Sequence, residues 1–181
     1  MIGSSIAKRY AKAFFEIAGE ENRYEHYYDE LSRFSSLLDQ NRNLSEFLDN
    51  PVFGQADKKR ITDTILQKLG LSPITENFIR VLVDKQRIGI LAEVETCYRQ
   101  MMDEILKKAR VSVKTAFPLS PELTENLRKR LEQLTGRNVE MTVSEDQSLL
   151  GGVVVAVGDT LYDGSIRTQL NKIRNLLGEE I

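Results

Sequence analysis

The sequence contains one cysteine and one histidine, Cys97 and His26, which are too few for a zinc site built from these ligands. A single cysteine also excludes an internal disulfide and is typical of a protein in a reducing compartment. Cys97 lies beside an apolar helical stripe, so we expect a buried, unreactive thiol. His26 has no serine, cysteine or paired carboxylate at an informative spacing, and we assign it no catalytic role.

Long apolar runs and a strong excess of one charge are absent as well. No stretch of about 18 uncharged apolar residues occurs, so no membrane-spanning helix is predicted, and the first ten residues lack the apolar segment of a secretory signal. The formal charge is -2, with both signs mixed along the chain. This balance disfavours nucleic acid as a partner, including the hypothesis of an RNA-binding adaptor. Membrane association is expected only through other proteins.

The first part of the chain shows helical periodicity. The first helix is predicted from Ser4 or Ser5 to Ala18, with Gly19 as its stop. A proline after a serine at Ser72-Pro73 predicts the start of another helix, and Gly70 the end of the helix before it. The remaining helices are predicted over 24–39, around Leu44–Leu48, over a segment with Ile61, Ile65, Leu66 and Leu69, over 73–85, and over 88–108. The charged run 57–60 is expected to be solvated.

The period of the pattern changes near residue 108. Apolar residues recur at helical spacing up to that point, in the stripe Leu91, Val94, Tyr98, Met101 and Ile105. From there Val111, Val113 and Thr115 alternate with other residues, which is the period of a half-buried strand. We therefore predict two domains, a helical bundle over 1–108 and a smaller domain over 109–181.

The second domain alternates strands and helices. A strand over 111–116 is followed by a helix that opens at Ser120-Pro121 and carries Leu123, Leu127, Leu131 and Leu134. A second strand contains Val139, Met141 and Val143, and Gly158-Asp159 joins two further strands in a hairpin. The last helix is predicted to use Asp163 as its cap and to bury Ile166, Leu170, Ile173 and Leu177. The fold class is therefore α+β: a six-helix bundle, then an α/β domain ordered strand-helix-strand-strand-strand-helix.

Two helices of the bundle, the first and the fifth, are more widely apolar than a surface helix requires. On a helical wheel the apolar residues of each cover an arc of roughly 200°. Central burial in the bundle explains such an arc, and so does a groove between the two helices that accepts a partner helix. The pattern alone leaves both explanations open.

The segment 151–165, GGVVVAVGDTLYDGS, is rich in glycine and invites a second hypothesis, a small nucleotide-binding protein. A phosphate loop, however, needs glycines between a strand and a helix, followed by lysine and serine or threonine, and no lysine follows Gly164 here. We therefore predict structural roles in turns and caps for this set: Gly151, Gly152, Gly158, Asp159, Asp163 and Gly164.

Four stretches of the chain resemble the delta subunit family of bacterial F-type ATP synthase, the counterpart of the mitochondrial oligomycin sensitivity-conferring protein. They are AKRYAKAFFEIA (7–18), NFIRVLVDKQRIGIL (77–91), AFPLS (116–120) and LGGVVVAVGDTLYDGSIRTQL (150–170). The resemblance spans essentially the whole chain. It implies a non-catalytic stator subunit, a monomer when isolated, at the cytoplasmic face of the bacterial plasma membrane, with no cofactor, metal or catalytic residue.

The resemblance also implies partners. The helical domain would bind the amino-terminal helix of an alpha subunit between its first and fifth helices, and the second domain would bind the b subunits. On the wheel, the residues expected to be exposed for the alpha-subunit helix are Tyr10, Ala13, Phe14 and Ile17 on the first helix and Phe78, Ile79, Val81 and Leu82 on the fifth.

Overall fold

The computed structural model describes residues 5–158 and 160–176. Over these residues the chain forms the helices α1 (Ser5–Glu20), α2 (Tyr24–Gln40), α3 (Arg42–Asp49), α4 (Gln55–Leu69), α5 (Pro73–Asp84), α6 (Leu91–Ile105), α7 (Pro121–Thr135) and α8 (Ile166–Leu176), with a 3-10 turn at Ile88–Ile90. The strands are β1 (Lys108–Thr115), β2 (Asn138–Glu145), β3 (Val153–Val157) and β4 (Thr160–Asp163). The α+β class and the predicted order of elements are confirmed.

Contacts within the chain divide it into two units, Met1–Glu104 and Ile105–Ile181. This division falls in the last turn of α6, a few residues before the boundary at 108 that the change of period predicts. The turn that follows α6 contains Lys107, whose φ is 50°, and β1 begins directly after it.

The helix boundaries in the first unit follow local signals. Ser72 caps α5: its hydroxyl accepts a hydrogen bond from the Thr75 amide at 3.4 Å, and Pro73 occupies the first helical position. Gly70 ends α4 with a left-handed φ of 58°, a conformation that costs glycine little. Both predictions are confirmed.

The predicted stop of α1 at Gly19 is wrong, since the helix continues to Glu20. A Cβ at Gly19 would lie 2.9 Å from the Tyr24 hydroxyl oxygen. Glycine at this position therefore lets the ring of Tyr24 approach the helix closely, and it does not terminate it. Ser4, one of the two residues predicted as the cap, lies outside the described residues.

Aromatic rings form the centre of the first unit. Phe14 of α1 lies 5.7 Å from Tyr27 and 5.5 Å from Tyr98, measured between ring centroids. Phe15 lies 5.2 Å from the same Tyr98, and all four of these side chains are buried. The buried Tyr98 hydroxyl donates to the Tyr24 carbonyl oxygen at 3.0 Å, so the ring is packed and its polar atom is satisfied.

The long helix predicted over 88–108 is shorter than expected and buries a slightly different face. Its first turn is the 3-10 segment, where a Cβ at Gly89 would lie 2.5 Å from an Asp49 carboxylate oxygen. Cys97 and Met102 are buried, whereas Ile105 is 53% exposed. The buried thiol expected for Cys97 is confirmed.

Among residues 5–104 of the first unit, two charged side chains are buried, Lys58 and Glu30. Lys58 is 1% exposed, and its ammonium donates to the Leu48 carbonyl oxygen at 2.7 Å. That carbonyl lies in the last turn of α3, where carbonyls lack helical partners and a cation is favoured. Glu30 is 2% exposed and contacts the start of α5. The solvated run predicted at 57–60 is therefore wrong for Lys58.

The strands of the second unit form one sheet in the order β2-β1-β3-β4. β1 and β2 are parallel and are connected through α7, whose cap Ser120 accepts from the Leu123 amide at 3.3 Å. β3 is antiparallel to both β1 and β4. Val157 pairs with Thr160 across the tight turn at Gly158, which confirms the predicted hairpin.

One face of this sheet packs against α7. The core there consists of Ala109, Val111, Val113, Leu131, Val139 and Val155. The alternation predicted for β1 is confirmed, because Val111, Val113 and Thr115 are all buried. On the edge strand β2, by contrast, Val143 is 38% exposed, and on α7 Leu123 and Leu134 are 57% and 62% exposed. The apolar pattern of these elements thus includes residues that the core of the second unit does not bury.

The prediction for the last helix is wrong in two respects. Ile166, Leu170 and Ile173 are exposed to 47%, 54% and 53%, so the apolar face of α8 is not buried within the chain. The cap is Ser165, whose hydroxyl accepts from the Thr168 amide at 3.3 Å. Leu177 lies outside the described residues. Within 5–158 and 160–176, no helix is long and apolar enough to cross a bilayer.

We expect brief trypsin digestion of the intact chain to give two persistent fragments divided after Lys107, because that residue lies in the turn after α6, close to the division between the two units. Mass spectrometry of the early fragments measures the cut. Early cuts after Arg23 or Lys85, in loops of the first unit, with none between Lys107 and Lys114, would contradict the division into separable domains.

Candidate functional site

α1 and α5 present apolar side chains that the first unit does not cover. Ala13 is exposed, Ile17 is 39% exposed and Val81 is 45% exposed, while Tyr10 and Phe78 are half-buried. We call these five residues the α1/α5 strip. Exposed apolar side chains are common singly, but a row on two adjacent helices indicates a contact surface.

Three residues predicted for this surface are buried in the bundle instead. Phe14, Ile79 and Leu82 are 1%, 0% and 0% exposed. They lie on the inward faces of α1 and α5, one helical step away from Ala13, Phe78 and Val81. The expectation that they are exposed is wrong, because a side chain rotated by about 100° along a helix changes its environment completely.

Phe78 connects the core to the strip. Its ring stacks on Phe14, with centroids 4.3 Å apart and an angle of 18° between the ring planes. Its other neighbour, Tyr10, lies 6.5 Å away in an edge-on arrangement at 67°. The half-buried rings of Tyr10 and Phe78 therefore form the floor between α1 and α5, supported from below by a fully buried ring.

On the side of α5 away from the α1/α5 strip, Arg80 forms ion pairs. The guanidinium of Arg80 donates to Asp63 of α4 at 2.7 Å and to Glu76 at 3.0 Å. The hydrogen bond from Arg80 to Asp63, with that to Glu76, raises the pKa of the Arg80 guanidinium above its ordinary value. The contact with Asp63 attaches α5 to α4.

A second uncovered surface lies on α8. Ile166, Leu170 and Ile173 share one face of this helix and are each about half exposed; we call them the α8 strip. The start of the helix is well defined. Asp163 accepts from the Ser165 amide at 2.8 Å and from the Thr168 hydroxyl at 2.8 Å, and these hydrogen bonds hold the pKa of Asp163 below its ordinary value.

The glycine-rich segment has a geometric explanation. Gly152 has a φ of 85°, and a Cβ there would lie 2.4 Å from the Gly164 carbonyl oxygen. Gly158 has a φ of 56° in the hairpin turn, and Gly164 donates its amide to Val153 at 2.9 Å. Gly151 accepts from the Ile166 amide at 3.0 Å. Asp159 lies outside the described residues.

This arrangement does not make a phosphate cradle. A phosphate bound at a helix start needs free amides there, but the amides of Ser165, Ile166 and Thr168 already donate within the chain. Among the described ranges 5–158 and 160–176 there is also no group of three or more histidine, cysteine, aspartate or glutamate side chains that could hold a metal ion.

Sequence reasoning missed two features near these surfaces. Ser165 is followed three residues later by Thr168, a serine signal for a helix start that the nearby Asp163 obscured. The buried Glu30, which contacts the start of α5, lies three residues after Tyr27 and four before Phe34, and both of those residues are buried on the same face of α2. A carboxylate at helical spacing within an apolar stripe is the signal that could have identified it.

The family model for the ATP synthase delta (OSCP) subunit matches residues 6–177 of the chain. A protein of Syntrophus aciditrophicus described as ATP synthase subunit delta is 60% identical over 181 residues, covering 100% of both chains. A protein with the same description from Geobacter metallireducens is 37% identical over 177 residues, covering 98% of each.

Solved structures give a similar result. A chain of the Toxoplasma gondii mitochondrial ATP synthase hexamer matches with a TM-score of 0.69 over 98% of this chain and 100% of that one, at 23% identity. At that identity the likeness concerns the fold. A chain from the F1 head and rotor of the Polytomella F-ATP synthase matches with a TM-score of 0.51 at 26% identity, over 55% of this chain and 87% of that one.

We expect Gly152→Ala to lower the free energy of unfolding by more than about 2 kcal/mol, because the added methyl meets the Gly164 backbone and the residue keeps a positive φ. Gly158→Ala is the matched control: its φ is also positive, but no atom lies within 4 Å of the added methyl, so it should cost only about 1 kcal/mol. Urea unfolding measures both. Equal losses would contradict the close approach at Gly152.

Proposed function

Because the chain belongs to the ATP synthase delta (OSCP) subunit family, a family of non-catalytic peripheral-stalk subunits, we propose that it links the catalytic head of the F-type complex to the b subunits. The α1/α5 strip binds the amino-terminal helix of an alpha subunit, and the second unit binds the b subunits. The observation that supports this most directly is that each unit leaves an apolar strip on a helix uncovered.

At the head end, the chemistry of the α1/α5 strip suits an amphipathic helix. Such a helix binds by placing side chains at positions i, i+3, i+4 and i+7 into an apolar surface. Ala13 is the small residue of the strip, and it leaves room between the larger Tyr10 and Ile17 for a side chain of the partner. The fully buried Phe14, Ile79 and Leu82 support this surface and do not contact the partner.

At the stalk end, the α8 strip offers a similar surface. α8 carries Ile166, Leu170 and Ile173 on one face, and its other positions between 167 and 175 are polar or charged. A helix of this kind is stable when another element covers its apolar face. We assign that role to the b subunits, whose binding would bury Ile166, Leu170 and Ile173.

The mechanical role follows from the two attachments. A rotor that exerts torque produces useful work only if the head is prevented from turning with it. A subunit that resists this torque needs tight contacts at both ends and a defined internal packing, and it needs no reacting side chain. The relatives come from Syntrophus and Geobacter, which are bacteria, so we place the subunit at the cytoplasmic face of the plasma membrane, attached through its partners.

We expect Ala13→Trp to weaken binding of an alpha-subunit amino-terminal peptide at least tenfold, or about 1.4 kcal/mol, because the indole fills the space for the partner helix. Since Ala13 is exposed, thermal unfolding should be nearly unchanged. Titration calorimetry measures the affinity. Ala92→Trp, at an exposed position of α6, is the control and should bind normally.

Phe14→Ala complements this test from the core side. It should lower the free energy of unfolding by about 3 to 5 kcal/mol, because Phe14 is buried among aromatic rings.

If Ala13→Trp binds the peptide as tightly as the unchanged protein, the alpha-subunit helix binds elsewhere. Saturable binding of ATP to the purified chain would instead favour the nucleotide-binding alternative.

We expect Leu170→Asp to weaken binding of a soluble b-subunit fragment at least tenfold, because a carboxylate would be desolvated in an apolar contact. Asn171→Asp introduces the same charge on the far side of α8 and should have little effect, since Asn171 is exposed and lies off the apolar face. Pull-down with the purified fragment measures both. Equal loss in the two variants would show that charge, and not the α8 strip, controls the interaction.

A further inference from the structure

Glu30 is an unusual residue in the first unit because it is a carboxylate with only 2% of its surface exposed. A buried carboxylate is costly unless hydrogen bonds replace its water. Here the Ser72 amide donates to Oε1 at 2.8 Å and the Ser72 hydroxyl donates to Oε2 at 2.6 Å. The Thr75 hydroxyl also donates to Oε2, and the His26 Nε2 lies 3.3 Å from Oε1.

All the hydrogen-bond donors of this network apart from His26 belong to the start of α5. Ser72 is the cap of α5, and Thr75 lies in its first turn and is 0% exposed. The carboxylate of Glu30 therefore occupies the positive end of the helix, where an anion is favoured. Burial tends to raise the pKa of Glu30, but the hydrogen bonds from Ser72 and Thr75 outweigh it and hold the pKa below its ordinary value.

These contacts join the start of α5 to α2, the helix that carries Glu30. A helix turns by about 100° per residue, so fixing the direction of Thr75 also fixes the directions of Phe78 and Val81. Those two residues are the contribution of α5 to the α1/α5 strip. The network thus acts on the strip without contacting a partner bound there.

We propose that Glu30 is a positioning residue for the α1/α5 strip: by binding the start of α5 it sets the register in which Phe78 and Val81 face α1. The inference rests on the proposed function, since the strip must bind the alpha-subunit helix. Stability alone is a weaker explanation, because a buried charged network is often replaceable by apolar residues without loss of stability, whereas its directional bonds specify one geometry.

The test compares affinity with stability in the full chain. Glu30→Gln keeps the size of the side chain but loses the charge and one acceptor, and Thr75→Val removes the hydroxyl from the other side of the network. Each should weaken binding of the alpha-subunit amino-terminal peptide by about fivefold or more, the range of typical coupling between separate sites. The double variant should bind the peptide with about the same affinity as the single variant that binds less tightly, because both substitutions remove the same coupling.

Tyr98→Phe is the matched control. It also deletes a buried hydrogen bond, from the Tyr98 hydroxyl to Tyr24, but this bond joins α6 to α2 and includes no atom of α5. We expect it to lower the midpoint of urea unfolding while the peptide affinity stays within twofold. Amide chemical shifts of residues 76–82 should change in Glu30→Gln and Thr75→Val and stay unchanged in Tyr98→Phe.

The possible results separate this inference from the proposed function. If the unchanged protein does not bind the peptide, both are overturned. If Ala13→Trp weakens binding but Glu30→Gln and Thr75→Val bind within twofold of the unchanged protein, only the positioning role is overturned. Should Glu30→Gln fail to fold, Thr75→Val decides alone: weakened binding with shifted α5 amides supports the role, and normal binding overturns it.

Discussion

The stacking of Phe78 on Phe14 is the interaction on which the first unit's surface depends. Phe14 is held from three directions by Tyr27, Tyr98 and Phe78, so its position is determined by the core. Phe78 in turn has one side against this core and the other towards Tyr10 and solvent. The outward surface of α1 and α5 is therefore as rigid as the aromatic core beneath it, which is what a static attachment point requires.

Both units use part of their apolar surface internally and leave part of it uncovered. In the first unit the uncovered part includes the α1/α5 strip, with Val52 and Phe53 before α4, and in the second it includes the α8 strip, with further exposed leucines on α7 and β4. Uncovered apolar surface reduces solubility and contributes nothing to folding, so a chain that retains it is expected to bury it against partners. A peripheral-stalk subunit of ATP synthase meets this expectation, since it works inside a complex.

Several polar side chains of this protein define the ends of helices. Lys58 binds the end of α3, Glu30 binds the start of α5, and Asp163 with Ser165 defines the start of α8. Each satisfies backbone groups that a helix end leaves without partners. Charged side chains at these points fix where a helix begins or ends and how it is oriented, which is consistent with a subunit that transmits force and catalyses no reaction.

Local periodicity and turn chemistry were enough to predict the element order, the helix caps at Ser72 and Ser120, and the hairpin at Gly158. The sequence also indicated that α1 and α5 are unusually apolar. Tertiary structure alone decided which side of that apolar arc is core, burying Phe14, Ile79 and Leu82 and exposing Ala13, Ile17 and Val81. It likewise left the α8 strip uncovered and buried Lys58 and Glu30. Periodicity reports that a face is apolar, but only the arrangement of neighbouring elements determines whether the chain covers that face itself, and a buried charge depends on partners far away in sequence, such as Ser72 for Glu30.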